Sequence, residues 1–347
     1  MSANGASMDD DALETLLFPF ENQALDWPAE GGILFLRAQA GPGLDAGRRA
    51  GLIAVQSAKP LAAGLERLGL TVLPAAPDGQ RFALVLALMP RQREEARALL
   101  GEAVLHLAPG GRIVAAARNA EGARSHEADL ERLAGRIESF SKNKARVFWS
   151  IGEPDRALAA EWQALDAPRP IADGTFLSRP GLFAWDRIDP GSALLAEHLP
   201  PTLAGLGADL GAGFGYLSAR VLERCARVKG LDLYEAEKRG LDLAERNLAG
   251  ARVPIRFFWH DVTQGLGESY DFVVTNPPFH KGRADRTDLG QAFIRAAASA
   301  LKPGGRLLLV ANRHLPYETL MRTLFAEIAP LADRDGYKVI EARKGGR

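Results

Sequence analysis

The chain has 347 residues, 47% of them hydrophobic and 25% charged, with 43 basic and 43 acidic side chains and no formal net charge. That length suits two domains better than one core, and the composition is that of an ordinary globular protein. Zero net charge argues against tight, unspecific binding to naked nucleic acid, which phosphate neutralisation drives. No apolar run approaches the roughly 20 residues of a membrane span.

The one cysteine, Cys225, excludes an intrachain disulfide and fits a reducing cytoplasm, where it is expected as a small buried hydrophobe. The acidic start lacks the basic region of a signal peptide. Residues 1–10 are expected to be disordered, and 11–27 to form a short helix and a docking segment. An α/β alternation begins near residue 30. Apolar runs at Ile33–Leu36, Leu52–Val55, Leu70–Leu73 and Phe82–Leu88 predict strands, the last continuous enough to be buried on both faces. Arg91–Ala103 is rich in helix formers, and Arg112–Ala117 predicts a strand. Residues 120–170 change character, with a helical Ala128–Ile137, a polar and basic Ser139–Lys144, and a proline-marked break at 167–170. The domain boundary is placed there, giving domains 1–170 and 171–347.

The second half repeats the alternation. Strands are predicted ending at Leu210 and over Val228–Leu233, Ile255–Trp259, Asp271–Thr275 and Arg306–Ala311. Helices are predicted over Leu217–Arg227, Lys238–Leu248, Leu289–Leu301 and from Pro316 to Phe325. A hairpin with an Asp335-Gly336 turn closes the chain. Strands alternating with helices imply parallel, doubly wound sheets. Leu107-Ala-Pro-Gly-Gly-Arg-Ile-Val recurs as Leu301-Lys-Pro-Gly-Gly-Arg-Leu-Leu, which points to a duplicated domain. The first copy lacks the glycine motif of the second and has Met89-Pro90 where the second has Asn276-Pro277. It reads as the same fold without the chemistry.

That chemistry lies in residues 209–279. Asp209 ends a strand and runs into Gly211, Gly213 and Gly215, so a ligand can approach the backbone closely. The spacing is G-x-G-x-G, not the G-x-G-x-x-G of dinucleotide sites. The acid before it would repel pyrophosphate but favour a cationic aminoacyl group. Glu235, with Asp232 as runner-up, is placed to accept ribose hydroxyls, and Asp261 lies near an adenine amine. His260 is expected to be structural. Asn276-Pro277-Pro278-Phe279 follows a strand at the edge where doubly wound sheets bind ligands. The Asn276 side-chain oxygen and the Pro277 carbonyl can accept both N–H bonds of a planar amine and localise its lone pair, while Phe279 stacks on the ring. Together these motifs predict an N-methyltransferase that uses S-adenosylmethionine. The catalytic set is Asn276, Pro277 and Phe279. The cofactor set is Asp209, Gly211, Gly213, Gly215, Glu235, Asp232, Asp261 and Asn276. No metal is expected. Basic groups at Lys142, Lys144, Arg146, Lys281, Arg283, Arg286, Lys338, Arg343, Lys344 and Arg347 are candidate phosphate contacts, or merely solvated.

With these residues in place, the chain resembles the bacterial ribosomal RNA small subunit methyltransferase C family. Besides the glycine loop and Asn276–His280, the resemblance rests on Gly181–Leu195, Leu315-Pro316-Tyr317, Ala117-Arg-Asn119 and Gly122-Ala-Arg-Ser125. The loop Ala212-Gly213-Phe214 departs from the Cys or Gly variants frequent in relatives. The resemblance implies two tandem Rossmann-like methyltransferase domains of class I, the first degenerate. It implies methylation of guanine N2 in 16S rRNA. The neutral net charge points to folded RNA within the small ribosomal subunit as substrate. Phe183, Trp185 and Arg187 precede the core, placed to cover the cofactor, to dock the domains or simply to pack. The rival chemistries are transfer to adenine N6 or to a glutamine amide; the rival class is a non-catalytic ribosome-assembly or RNA-binding protein.

Overall fold

A computed structural model describes residues 10–278 and 285–346. The chain divides into two compact units, Met1–Ala167 and Pro168–Arg347.

The first unit runs α1 (Asp10–Glu21), β1 (Ile33–Leu36), α2 (Ala46–Arg49), β2 (Leu52–Val55), α3 (Lys59–Arg67), β3 (Thr71–Leu73), β4 (Phe82–Leu88) and α4 (Arg93–Leu105). It continues with β5 (Leu107–Arg118), α5 (Ala123–Ala134), β6 (Ile137–Lys142), β7 (Ala145–Ser150) and α6 (Arg156–Gln163). Its seven strands lie in the order β3-β2-β1-β4-β5-β7-β6. The first five are parallel, and β7 and β6 are antiparallel additions. Val85, Leu86 and Ala87 on β4 are fully buried, as the unbroken apolar run predicts for a central strand covered on both faces.

The second unit opens with the hairpin β8 (Arg169–Ile171) and β9 (Phe176–Ser178), then α7 (Pro190–Glu197), β10 (Ala204–Leu210), α8 (Tyr216–Arg224), β11 (Arg227–Glu235), α9 (Lys238–Asn247), β12 (Ile255–Trp259) and β13 (Tyr270–Thr275). It ends with α10 (Asp285–Ala300), β14 (Leu301–Asn312), α11 (Tyr317–Leu324), β15 (Glu327–Arg334) and β16 (Tyr337–Arg343). The strand order, β12-β11-β10-β13-β14-β16-β15, is that of the first unit step for step. The duplication visible in the Pro-Gly-Gly segments therefore extends to the whole sheet. The central residues Val273 and Val274 have no exposed surface; burying each stabilises the sheet by roughly 1.5–3 kcal/mol.

The structure departs from the sequence expectations in three places. Ser139–Lys144, read only as polar and basic, belongs to a strand and its turn. It is the end of β6 and the turn of an edge hairpin, with Asn143 and Lys144 both left-handed (φ 51° and 56°) as a two-residue hairpin turn needs. Helix α7 and the β8–β9 hairpin were not foreseen. The alignment of the two copies also shifts by one residue. Arg112 pairs with Leu84 in the first sheet, and Arg306 with Phe272 in the second. Counting on from these partners sets Leu88, not Met89, at the Asn276 position. The neighbouring registers set Phe35 at Asp209 and Gln56 at Glu235. Gln56 even keeps the local bond, its Oε1 accepting from Ala58 N at 2.9 Å as Glu235 Oε1 accepts from Glu237 N at 2.8 Å.

Candidate active site

The site forms at the carboxyl ends of β10, β11 and β13, where the winding of the sheet reverses between β10 and β13. This is the crevice in which doubly wound sheets hold ligands. Thr275 at the end of β13 donates its hydroxyl to Leu210 O at the end of β10 (2.7 Å), which fixes the two strand ends together.

After β10 the chain turns through Gly211 and Gly213 at φ 73° and 55°, a left-handed backbone that side chains with a Cβ rarely adopt. The N–H groups of Gly211 and Ala212 both donate to Tyr234 O, tying the turn to β11. Gly213 N donates to Glu235 Oε2 at 2.7 Å, so the acid at the end of β11 braces the turn from beneath. Each Glu235 oxygen holds one backbone N–H and keeps a lone pair for a further donor. Burial raises the Glu235 carboxyl above its ordinary pKa, against the pull of those N–H donors.

A cavity of about 260 Å³ opens here, walled among others by Gly211, Gly213, Glu235, Glu237 and Asn276, and by Phe183 from the loop before α7. Phe183 is 48% exposed. Asn276 is held from an unexpected side. Its Nδ2 donates to Asp189 Oδ2 at 2.9 Å and to Ser192 Oγ at 2.8 Å. Asp189 caps α7, accepting from Ser192 N at 2.8 Å, with Pro190 in the first turn. Two acceptors on the nitrogen leave only one orientation for the amide, and Oδ1 takes no hydrogen bond among the described residues. This helix start was not read from the sequence. The sequence also gives no sign that the same carboxylate reaches a side chain far along the chain.

The other predicted residues are placed differently. Asp209 is completely buried and does not line the cavity; its Oδ2 accepts from Ser218 Oγ at 2.8 Å, and Oδ1 has no partner among the described residues. Burial pushes its pKa up to about 7, with the nearby Glu235 charge adding to the rise and the Ser218 bond opposing it. In the unfolded chain this carboxyl ionises near 3.8, so unfolding releases a proton between about pH 4 and about pH 7. Stability contributed at this site therefore falls as pH rises through that window. Asp209→Asn is expected to remove the fall, worth up to roughly 4 kcal/mol above pH 7. Chemical denaturation of both proteins from pH 4 to 8 checks this, and parallel pH curves would contradict it.

Asp232 is turned away from the cavity. Arg256 grips it through Nε (2.8 Å) and Nη2 (2.5 Å), and Tyr270 donates its hydroxyl to it at 2.7 Å. Asp261 caps the short helical turn 262–264, accepting from Thr263 N at 2.9 Å, and is not in the cavity wall. Gly215 starts α8, also outside the wall. Pro277 is buried beside Asn276, while Phe279, Lys281 and Arg283 lie outside the described residues, as do the side chain of Arg286 and Arg347. His260 is structural as expected, paired with Gly265 O at 2.7 Å. Cys225 is buried.

Of the basic groups, Lys338 is no phosphate contact: its Nζ is buried against Leu315 O and the Glu318 carboxylate. Lys344 binds Leu301 O at 2.6 Å, and Lys142 sits over the Phe18 ring. Trp185 lies under Arg169, and Arg187 pairs with Asp186. No cluster of His, Cys, Asp and Glu suited to a metal occurs among the described residues, and no helix among them is long and apolar enough to cross a membrane.

Residues 173–341 match the family model described as "Methyltransferase small domain". The fold and this match define the chain as a methyltransferase of the Rossmann-like kind. Relatives called ribosomal RNA small subunit methyltransferase C are 30% identical in Shewanella loihica, over 77% of this chain and 79% of that protein, and 32% identical in Pseudomonas paraeruginosa, over 78% and 81%. The chain belongs to the ribosomal RNA small subunit methyltransferase C family. Its fold is shared by the T. thermophilus 16S rRNA N2 methyltransferase RsmC, solved with AdoMet and guanosine (TM-score 0.78, 24% identity, 99% of this chain and 94% of that one).

Proposed function

We propose that the second unit transfers a methyl group from S-adenosylmethionine to the exocyclic N2 of a guanine in 16S rRNA. The observation that carries this reading is the fixed amide of Asn276. With Nδ2 committed to Asp189 and Ser192, Oδ1 is left as an acceptor at the cavity wall. An aryl amine is a poor nucleophile because its lone pair is delocalised into the ring. Acceptance of its two N–H bonds by Asn276 Oδ1 and the Pro277 carbonyl localises that pair on nitrogen and holds it in place. Phe279 supplies the stacking surface for the base.

The cavity residues suit an adenosyl group: Gly211 and Gly213 present backbone without Cβ atoms, and Glu235 has lone pairs for two ribose hydroxyls. When bound, S-adenosylmethionine supplies a methyl group on a positively charged sulfur. Asp209, which accepts from Ser218 in the core and is not in the cavity wall, ties β10 to α8. The first unit acts as a non-catalytic copy, since Phe35, Gln56 and Leu88 stand where the second unit has Asp209, Glu235 and Asn276.

The substrate form is folded RNA in an assembled small subunit, because a chain of zero net charge gains little from naked RNA. Incubation of the protein with methyl-labelled S-adenosylmethionine and either free 16S rRNA or small subunits, followed by nucleoside analysis, tests both points. Label is expected in N2-methylguanosine and to be greater on subunits. Equal or greater labelling of free rRNA would overturn the particle as substrate. Label in N6-methyladenosine or in protein would overturn the base.

A further inference from the structure

We propose that the first unit carries a phosphate-binding site for the RNA backbone, in the cavity where β5 passes into α5. This deepens the function proposed above and rests on it for the identity of the RNA. The cavity, about 310 Å³, is lined by Asn119, Gly122, Arg124, Ser125 and Arg146. The chain leaves β5 at Arg118, makes a single helical turn over Asn119–Glu121 and reverses through Gly122 at φ 90° before α5 begins. This places Asn119 and Arg124–Ser125 on either side of the turn, with Arg146 on the neighbouring strand β7.

The lining is rich in hydrogen-bond donors and poor in partners. Arg124 is exposed and forms no ion pair among the described residues, and the side chains of Asn119 and Ser125 have no hydrogen-bond partner there. Arg146 gives Nη1 to Glu127 at 2.6 Å, but its Nε is buried and has no partner among the described residues. A buried donor left unmet is destabilising unless an acceptor arrives. The nearby acid Glu121 faces Arg118 at 3.9 Å, and no carboxylate is in the cavity wall. Two guanidinium groups, an amide and a hydroxyl around one space suit a ligand that only accepts and carries negative charge, which describes a phosphate group.

The RNA backbone is the source the rest of the molecule favours. The site lies at the carboxyl edge of its sheet, the edge that faces ligands in doubly wound folds. Overall neutrality also means that RNA phosphates must be held by local groups of this kind rather than by the general field. Neither Arg124 nor Arg146 has any part in the methyl-transfer site.

Binding of a polyuridine oligomer to the full chain, measured at several salt concentrations, tests the site independently of guanine recognition. Arg124→Ala changes an exposed side chain and is expected to lower affinity several-fold and the slope of log K against log salt by about 1. Arg67→Ala on α3, with the same change of charge, is expected to alter neither. Unchanged affinity and slope in Arg124→Ala, an equal change in Arg67→Ala, or no binding by the wild-type chain would each overturn the proposal. Saturable binding of inorganic phosphate with unchanged RNA affinity would assign the cavity to a free anion and overturn the RNA reading. If the slope falls as expected but no guanine is methylated, the phosphate site stands and the proposed reaction fails.

Discussion

Asn276→Ala is expected to lower the turnover number by roughly 100-fold to 1,000-fold, the usual cost of losing one preorganised polar group at a reacting centre. The affinity for S-adenosylmethionine should change no more than a few-fold, because the Gly211–Gly213 turn and Glu235 remain braced against each other. The expectation follows from the way the amide is held. Asp189 and Ser192 take both hydrogens of Nδ2, so the side chain cannot flip to present its nitrogen to an incoming amine. Ser192→Ala removes one of these two bonds and should produce a smaller loss of turnover with little change in KM for RNA, as befits a positioning residue. Single-turnover kinetics and calorimetry with S-adenosylmethionine separate the two effects. Turnover unchanged in Asn276→Ala would refute the role assigned to the amide.

Glu235→Gln is expected to weaken S-adenosylmethionine binding by roughly 10-fold to 100-fold while the protein stays folded. Hydrogen bonds to a charged group are worth about 1.5–3 kcal/mol, and the substitution exchanges the carboxylate for a neutral amide with one acceptor oxygen. The first unit already holds this arrangement. Gln56 occupies the corresponding strand end, spends Oε1 on Ala58 N and gives Nε2 to Ala38 O at 2.7 Å. The variant thus turns the second unit toward its silent copy at one position, and the copy shows that the fold tolerates glutamine there. Wild-type affinity in Glu235→Gln would remove Glu235 from the cofactor set.

The parts of this architecture that were legible in the sequence are those fixed by local backbone chemistry. Gly211 and Gly213 declare a left-handed turn, the apolar runs at Phe82–Leu88 and Phe272–Thr275 declare central strands, and Pro-Gly-Gly marks both copies. What stayed hidden depends on partners distant in the chain. Asp232 stays a runner-up to Glu235 until Arg256 and Tyr270 are seen to hold it. Asp261 accepts from Thr263 N at the start of the 262–264 turn and is not in the cavity wall, a placement its sequence neighbours do not reveal. Strand β6 is largely exposed, so it lacks the apolar alternation that would have announced it. Lys338 looks like a surface cation in a basic tail, yet antiparallel pairing of β16 turns it inward to Glu318.

The central claim is methylation of guanine N2 in 16S rRNA. Mass mapping of 16S rRNA from cells lacking this protein, beside cells in which it has been restored, tests it most directly. The account predicts one guanosine that loses a single methyl group in the deletion and regains it with the wild-type chain but not with Asn276→Ala. An unchanged 16S rRNA methylation map, or a methyl group lost from an adenosine instead, would contradict it.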